Sequence, residues 1–198
     1  DKNLDISLFD MPDKGAFTQD FKDGLAQGDF DLVVVSPGIS RFRDDLVKAN
    51  QQGALMYTDI TIFLEVWNGS GPVIGVTGSN GKSTVVSLFE EALSKSDQPV
   101  LMGGNIGNSP LDWLRDQSVS SDSFVVLELS SYMLEYFTEK HILDVAVIIS
   151  FSQNHLSRHG TLEEYARVKC AGIASDVTKV FLGKTKGVEQ YIEPALPE

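Results

Sequence analysis

The chain has 198 residues, 42% of them hydrophobic, a formal net charge of −12 and a single cysteine, Cys170. That size suits one large or two small globular domains, and the acidity argues against nucleic acid as a partner, which needs a basic footprint. One cysteine makes no internal disulfide and favours a reducing compartment; no apolar run reaches membrane-spanning length, and "DKNLDISLFD" at the start carries no secretory signal, so the cytoplasm is the expected location.

Short β-branched runs alternate with helical patterns along the chain. Strands are predicted at Ile6–Phe9, Leu32–Val35, Val73–Thr77, Val100–Met102, Phe124–Leu127, Val145–Ile149 and Val180–Leu182. Most are continuously apolar, as strands covered on both faces are. Strands alternating with helices predict an α/β fold with a parallel, doubly wound sheet. The turn-rich "WNGSGP" at Trp67–Pro72 marks a break, which divides the chain into domains at residues 1–70 and 71–198.

"SPGIS" at Ser36–Ser40 follows the second predicted strand. Its proline and glycine suit a fixed turn, with backbone N–H groups open to an anion or simply a structural corner. "VTGSNGKST" then follows the strand Val73–Thr77. Glycines permit a tight turn and close approach to a phosphate, and the helix after them points free N–H groups back at the turn. Lys82 would reach terminal phosphates, and Ser83 or Thr84 would offer a hydroxyl to Mg²⁺. The strict G-x-x-x-x-G-K-[ST] spacing fails, because counting back from Gly81 reaches Val76; the turn is a variant running Thr77, Gly78, Ser79, Asn80, Gly81, Lys82, Ser83, Thr84. An ordinary glycine turn with a surface lysine is the alternative. The helix after it is predicted to bury Val85, Leu88, Phe89, Ala92 and Leu93.

Ligands of open parallel sheets sit beyond the carboxyl ends of the strands. "GGNIGNSP" at Gly103–Pro110 can place Asn105 beside the phosphates, or be a structural turn. Glu128 closes the strand "FVVL" and is placed to hold Mg²⁺, or else is a capping or surface carboxylate. His155 lies just past "VAVIIS" and is either a ligand for a metal or substrate oxygen or a plain loop histidine. "TLEEYARVKCAGI" opens with a capping box, Thr161 and Glu164, and puts Leu162, Tyr165, Ala166 and Ile173 on one stripe. Lys169 sits on the same stripe, either snorkelling or chemically employed.

"SPGIS", "TDITIF", "VTGSNGKST", "GGNIG", "LELSSY" and "NHLSRHGTLEEYARVK" occur in this order over nearly the whole chain. Together they resemble the Mur ligase family of bacterial cell-wall synthesis. "TGSNGKST" alone marks a wider group that includes folylpolyglutamate synthase, whereas "GGNIG" with "LELSSY" is similar to the member that adds D-glutamate. The resemblance implies a partial Rossmann-like, UDP-sugar-binding domain followed by a partial P-loop-type ATPase domain. It implies an ATP-dependent ligase of peptidoglycan synthesis that phosphorylates UDP-N-acetylmuramoyl-L-alanine to an acyl phosphate, which D-glutamate then attacks.

Carried onto this chain, the resemblance assigns Lys82 to the transferring phosphoryl and Ser83 with Glu128 to one Mg²⁺. It assigns His155 and Lys169 to a second Mg²⁺, with Lys169 carbamylated, and Ser36, Gly38, Asn105 and Ser131 to the UDP-sugar. The histidine loop departs from the family's Asn-x-Thr-x-Asp-His: here Ser150–His155 reads "SFSQNH", and Ser157 stands where aspartate is common. The resemblance further implies a piece of a longer protein, without the first strand and glycine turn and without the C-terminal domain that binds the amino acid. These residues alone are then expected not to ligate. A non-catalytic nucleotide-binding module and a folylpolyglutamate-synthase-like ligase are the other two readings.

Overall fold

A computed structural model describes residues 24, 25, 27–174 and 178–197; the strand expected at Ile6–Phe9 lies outside them. The chain divides into two compact units, one made of residues up to 34 with 41–56, the other of 35–40 with 57 onward. In the first, β1 (Leu32–Val34) precedes α1 (Asp44–Gln51), which has Asp44 and Asp45 in its first turn, Lys48 in its last, and buries Leu46 and Ala49. Those charges match the helix dipole at both ends. β2 (Leu55–Tyr57) pairs with β1. It was not anticipated from sequence, because three residues with no β-branched side chain give no periodic signal.

In the second unit, α2 (Asp59–Val66) opens with a capping box between Thr58 and Thr61 and buries Ile60, Thr61 and Phe63. The remaining elements are β3 (Val73–Thr77), α3 (Lys82–Leu93), β4 (Val100–Gly104), α4 (Pro110–Arg115), β5 (Phe124–Glu128), α5 (Ser131–Leu134), β6 (Val145–Ile148), α6 (Leu156–His159), α7 (Leu162–Lys169) and β7 (Lys179–Leu182). A short π turn, Val188–Ile192, and a 3₁₀ turn, Glu193–Ala195, follow. The five strands β3–β7 form a parallel sheet ordered β4-β5-β3-β6-β7.

The sheet is covered on both faces, which is why its strands read as unbroken apolar runs. Successive residues point to opposite sides. Val73, Val125 and Leu127 join Ile60, Phe63, Leu129, Leu134 and Val168 on one side, and Ile74, Val76 and Val126 join Val86 on the other. By compactness α2 belongs to the second unit, into whose core it packs Ile60 and Phe63.

Two helical faces differ from expectation. α3 turns Val85, Val86, Phe89 and Leu93 to the sheet, leaving Leu88 58% exposed and Ala92 exposed. Val85, Phe89 and Leu93 belong to both the expected and the observed face; Val86 is buried where Leu88 and Ala92 were expected, and both sets satisfy helical spacing. α7 stops at Lys169, so Ile173 lies past its end. Thr161 caps the backbone N–H of Glu164, but the Glu164 carboxylate pairs with Arg167 at 2.8 Å instead of closing the box. Among the described residues no helix is long and apolar enough to cross a membrane.

Candidate functional site

The glycine turn after β3 has the backbone its sequence demands. Gly78 and Gly81 adopt φ of 151° and 86°, where side chains are rarely tolerated. Gly81 is the N-cap of α3 and supplies no side-chain cap, so the first amides of the helix, from Lys82 to Thr84, have no acceptor within it. Ser83 and Thr84 are exposed there, and an anion is stabilised at that end by amides and dipole together. The loop after β6 staples the turn from below. Ser79 N donates to Ser150 O at 3.0 Å, and Asn80 N donates to Ser150 Oγ at 3.1 Å. The Ser79 hydroxyl donates to Ser152 O at 3.1 Å and accepts from Ser152 N at 3.0 Å. Ser79 and Asn80 therefore shape the turn, and the amides from Lys82 to Thr84 open the helix that follows it.

Two lysines converge on one carbonyl. Lys82 Nζ donates to Gly78 O at 3.1 Å. Lys169 Nζ donates to the same oxygen at 3.1 Å and to Thr77 Oγ1 at 3.2 Å, while Thr77 Oγ1 donates to Leu129 O at 2.8 Å. Lys169 is 2% exposed, lies 4.8 Å from the Tyr165 ring centroid, and forms no ion pair with a carboxylate among the described residues. Its amine points inward, so it does not snorkel. Burial, and then the charge of Lys82, lower its pKa from 10.5 to about 7. Burial likewise pushes the adjacent Cys170 thiol up to about 11, leaving it inert at neutral pH.

Glu128 ends β5 beside β3, in register with Val76 and Gly104. Asn105 N donates to Glu128 O at 2.8 Å and Asn105 Nδ2 to Glu128 Oε1 at 2.8 Å. That close approach requires Gly104, at φ 101°, where an added Cβ would stand 2.3 Å from Glu128 O. Glu128 Oε2 is buried without a hydrogen-bond partner among the described residues. Asn105 thus orients the carboxylate at the carboxyl end of the sheet.

His155 sits in the left-handed region at φ 53°, its N–H held by Asn154 Oδ1 at 2.9 Å. Its Nδ1 lies 3.2 Å from the Tyr132 hydroxyl. Burial first, then the charges of Lys169 and Lys82, lower its pKa.

The residues expected at a UDP-sugar are placed differently from one another. Ser36 and Gly38 are exposed on the turn after β1. Ser131 is buried, its Oγ 3.0 Å from His159 Nε2, so it supports α6. The sequence reading missed the group around it. Arg158 donates through Nε and Nη2 to the Glu135 carboxylate, at 2.7 Å in the shortest contact, and His159 Nδ1 lies 3.3 Å from Glu135 Oε1. An acid between Leu134 and Tyr136, and an arginine three residues past His155, were the available signals. Among the described residues no three His, Cys, Asp or Glu side chains are grouped to hold a metal ion; any cation here would draw on hydroxyl, phosphate or modified-lysine oxygens as well.

Residues 76–180 match the Mur ligase middle domain. The UDP-N-acetylmuramoylalanine--D-glutamate ligase of Koribacter versatilis is 38% identical over 141 residues, 71% of this chain and 30% of that protein. The enzyme of the same name from Acinetobacter baylyi is 34% identical over 190 residues, 92% of this chain and 40% of that protein. The chain therefore spans well under half the length of these relatives. UDP-N-acetylmuramate:L-alanyl-gamma-D-glutamyl-meso-diaminopimelate ligase from Neisseria meningitides shares the fold, with a TM-score of 0.51 at 17% identity, over 89% of this chain and 60% of that one. The domain match runs from inside β3 to the start of β7, takes in the glycine turn, Glu128, His155 and Lys169, and covers more than half of the chain: this protein belongs to the Mur ligase family.

Proposed function

We propose that this chain provides the ATP site, in residues 71–198, and part of the UDP-sugar site, in residues 1–70, of a cytoplasmic ligase of peptidoglycan synthesis. The reaction joins D-glutamate to UDP-N-acetylmuramoyl-L-alanine through an acyl phosphate. The names of the relatives support the substrates. The observation that carries the chemistry is Lys169: a buried amine, without an acid partner, fixed on the carbonyl of the phosphate turn itself.

In this reading the amides of Gly81 to Thr84 receive the ATP phosphates, and Lys82 swings from Gly78 O to the transferring phosphoryl. Phosphoryl transfer is mainly positioning and charge neutralisation, and those are what the turn and the lysine supply. The unpartnered buried oxygen of Glu128 fits a cation. Ser83 and Glu128 would hold one Mg²⁺, and His155 with carbamylated Lys169 a second. Bound Mg²⁺ would neutralise the phosphate oxygens on which charge gathers. With a pKa of about 7, Lys169 is substantially neutral at cytoplasmic pH. The free amine then adds to CO₂: a nitrogen–carbon bond forms, one N–H proton leaves to solvent, and a carboxylate is left on a long arm. That group would supply the oxygens that no cluster of acids provides here.

The test is spectroscopic and calorimetric. In ¹³C-bicarbonate, wild-type chain should show a carbamate resonance that Lys169→Met lacks. Mg²⁺-ATP should bind wild type and fail to bind Lys82→Ala of unchanged fold. No carbamate signal would remove the assignment of Lys169, and equal ATP affinity in Lys82→Ala would remove that of the phosphate turn.

A further inference from the structure

Arg158 joins the exposed turn at residues 36–40 to the histidine loop. Its Nη1 donates to Gly38 O at 3.0 Å, and its Nη2 to Pro37 O at 3.2 Å and Ile39 O at 2.9 Å. The Tyr136 hydroxyl adds a bond to Ile39 O at 2.8 Å. Within the turn Ile39 N donates to Ser36 O at 2.9 Å, and the carbonyls of Pro37, Gly38 and Ile39 are gathered from outside it by Arg158 and Tyr136. The Arg158 guanidinium carbon also stacks 4.5 Å from the Tyr132 ring centroid, and Glu135 holds the guanidinium in that plane. The Tyr132 ring is in turn 5.0 Å from the His155 ring, with its hydroxyl 3.2 Å from Nδ1. The planar guanidinium presents a fixed fork of N–H donors along its edge to several acceptors while its flat face lies on an aromatic ring, and a compact ammonium has no such edge.

We infer that Arg158 and Tyr132 are positioning residues that relay the state of the turn at residues 36–40 to the ring of His155. A group occupying the turn and drawing on its backbone shifts the three carbonyls. Arg158 follows them because its edge is fully engaged there, Tyr132 follows the guanidinium plane, and His155 follows the Tyr132 hydroxyl. Where the turn receives a nucleotide sugar, which rests on the function proposed above, the relay aligns His155 only once that substrate is seated.

The experiment compares wild-type chain with Arg158→Lys and Tyr132→Phe, following His155 ring signals by NMR, assigned with His155→Asn, and exchange of the Ile39 amide. Arg158→Lys keeps a cation beside Glu135 but loses the planar donor edge. It should speed Ile39 exchange about tenfold, as loss of charge-assisted hydrogen bonds does, and should move the His155 signals. Tyr132→Phe keeps the ring and should move His155 while leaving Ile39 exchange unchanged. Uridine diphosphate added to wild type should shift both the turn and His155, and in Tyr132→Phe the turn alone. The relay is overturned if His155 is unmoved in Arg158→Lys, or if the nucleotide shifts His155 equally in Tyr132→Phe. A nucleotide that leaves the turn unshifted counts against the UDP-sugar reading, and the two substitutions then decide the relay by themselves.

Discussion

Glu135 and Glu128 are both buried carboxylates, 3% and 2% exposed, and the fold treats them in opposite ways. Glu135 receives the Arg158 fork and lies against His159. Glu128 receives one side-chain N–H, from Asn105, and keeps its second oxygen unpartnered. The nearby cations repeat the contrast: Arg158 is held by a carboxylate and three carbonyls, whereas Lys169 has a hydroxyl, a carbonyl and an aromatic face but no acid. A buried charge with all its partners is architecture. One left short of partners costs stability and persists where a ligand or a modification completes it. On the function proposed above, the region around Glu135 is scaffold, and the region around Glu128 and Lys169 is where a ligand would complete the partners.

The largest effect expected from that contrast is on the scaffold side. Glu135→Ala leaves Arg158 and His159 without their acid and should destabilise the chain by about 3–5 kcal/mol, read as the urea midpoint; an unchanged midpoint would make the cluster no more than a surface pair.

Lys169→Met should do the reverse and stabilise by about 1–3 kcal/mol near pH 6, where the wild-type amine is charged and buried. The sign follows from linkage. The folded pKa is about 7 against an ordinary 10.5, so between those values the unfolded chain holds more protons and stability rises with pH, by at most about 1.4 kcal/mol per pH unit. Below the folded pKa both states are protonated and the full penalty remains. With CO₂ excluded, the advantage of Lys169→Met over wild type should therefore shrink between about pH 6 and about pH 9. A gap constant with pH would show that Lys169 does not titrate in that range.

Glu128→Gln sharpens the same contrast at smaller scale. Removing a buried charge whose second oxygen is unpartnered should raise stability by about 1 kcal/mol and weaken Mg²⁺-dependent ATP binding; lower stability with intact binding would place Glu128 among the scaffold residues. Smallest is Leu88→Gln on the outward face of α3, which should stay within about 0.5 kcal/mol of wild type. A cost several times larger would mean that the face is covered.

The glycine turn was legible because its demands are local. A strand, two glycines at positive φ, a lysine and the start of a helix are consecutive, so Val73–Thr77 and the residues to Thr84 could be read directly, and the strand has those bounds in the structure. The inward placement of Lys169 was legible from helical spacing. Its lack of an acid partner was not, because partners come from other elements. The α3 face was misread because two apolar sets fit one periodicity, and β2 was missed because pairing with β1, and not propensity, makes it a strand. Ser131 illustrates the same limit: the motif placed it near the site, and His159, arriving from α6, took its hydroxyl.

By itself the sequence determined the parallel α/β class, the strand–glycine turn–helix unit at residues 73–93 and the polar residues at strand ends, because periodicity, backbone permissiveness and strand polarity act over a few residues. Only the tertiary structure decided which buried charges are paired. Satisfaction of a buried polar group depends on groups far away in the chain, and packing brought Arg158 to Glu135 and to the carbonyls of Pro37, Gly38 and Ile39 while bringing no carboxylate to Lys169.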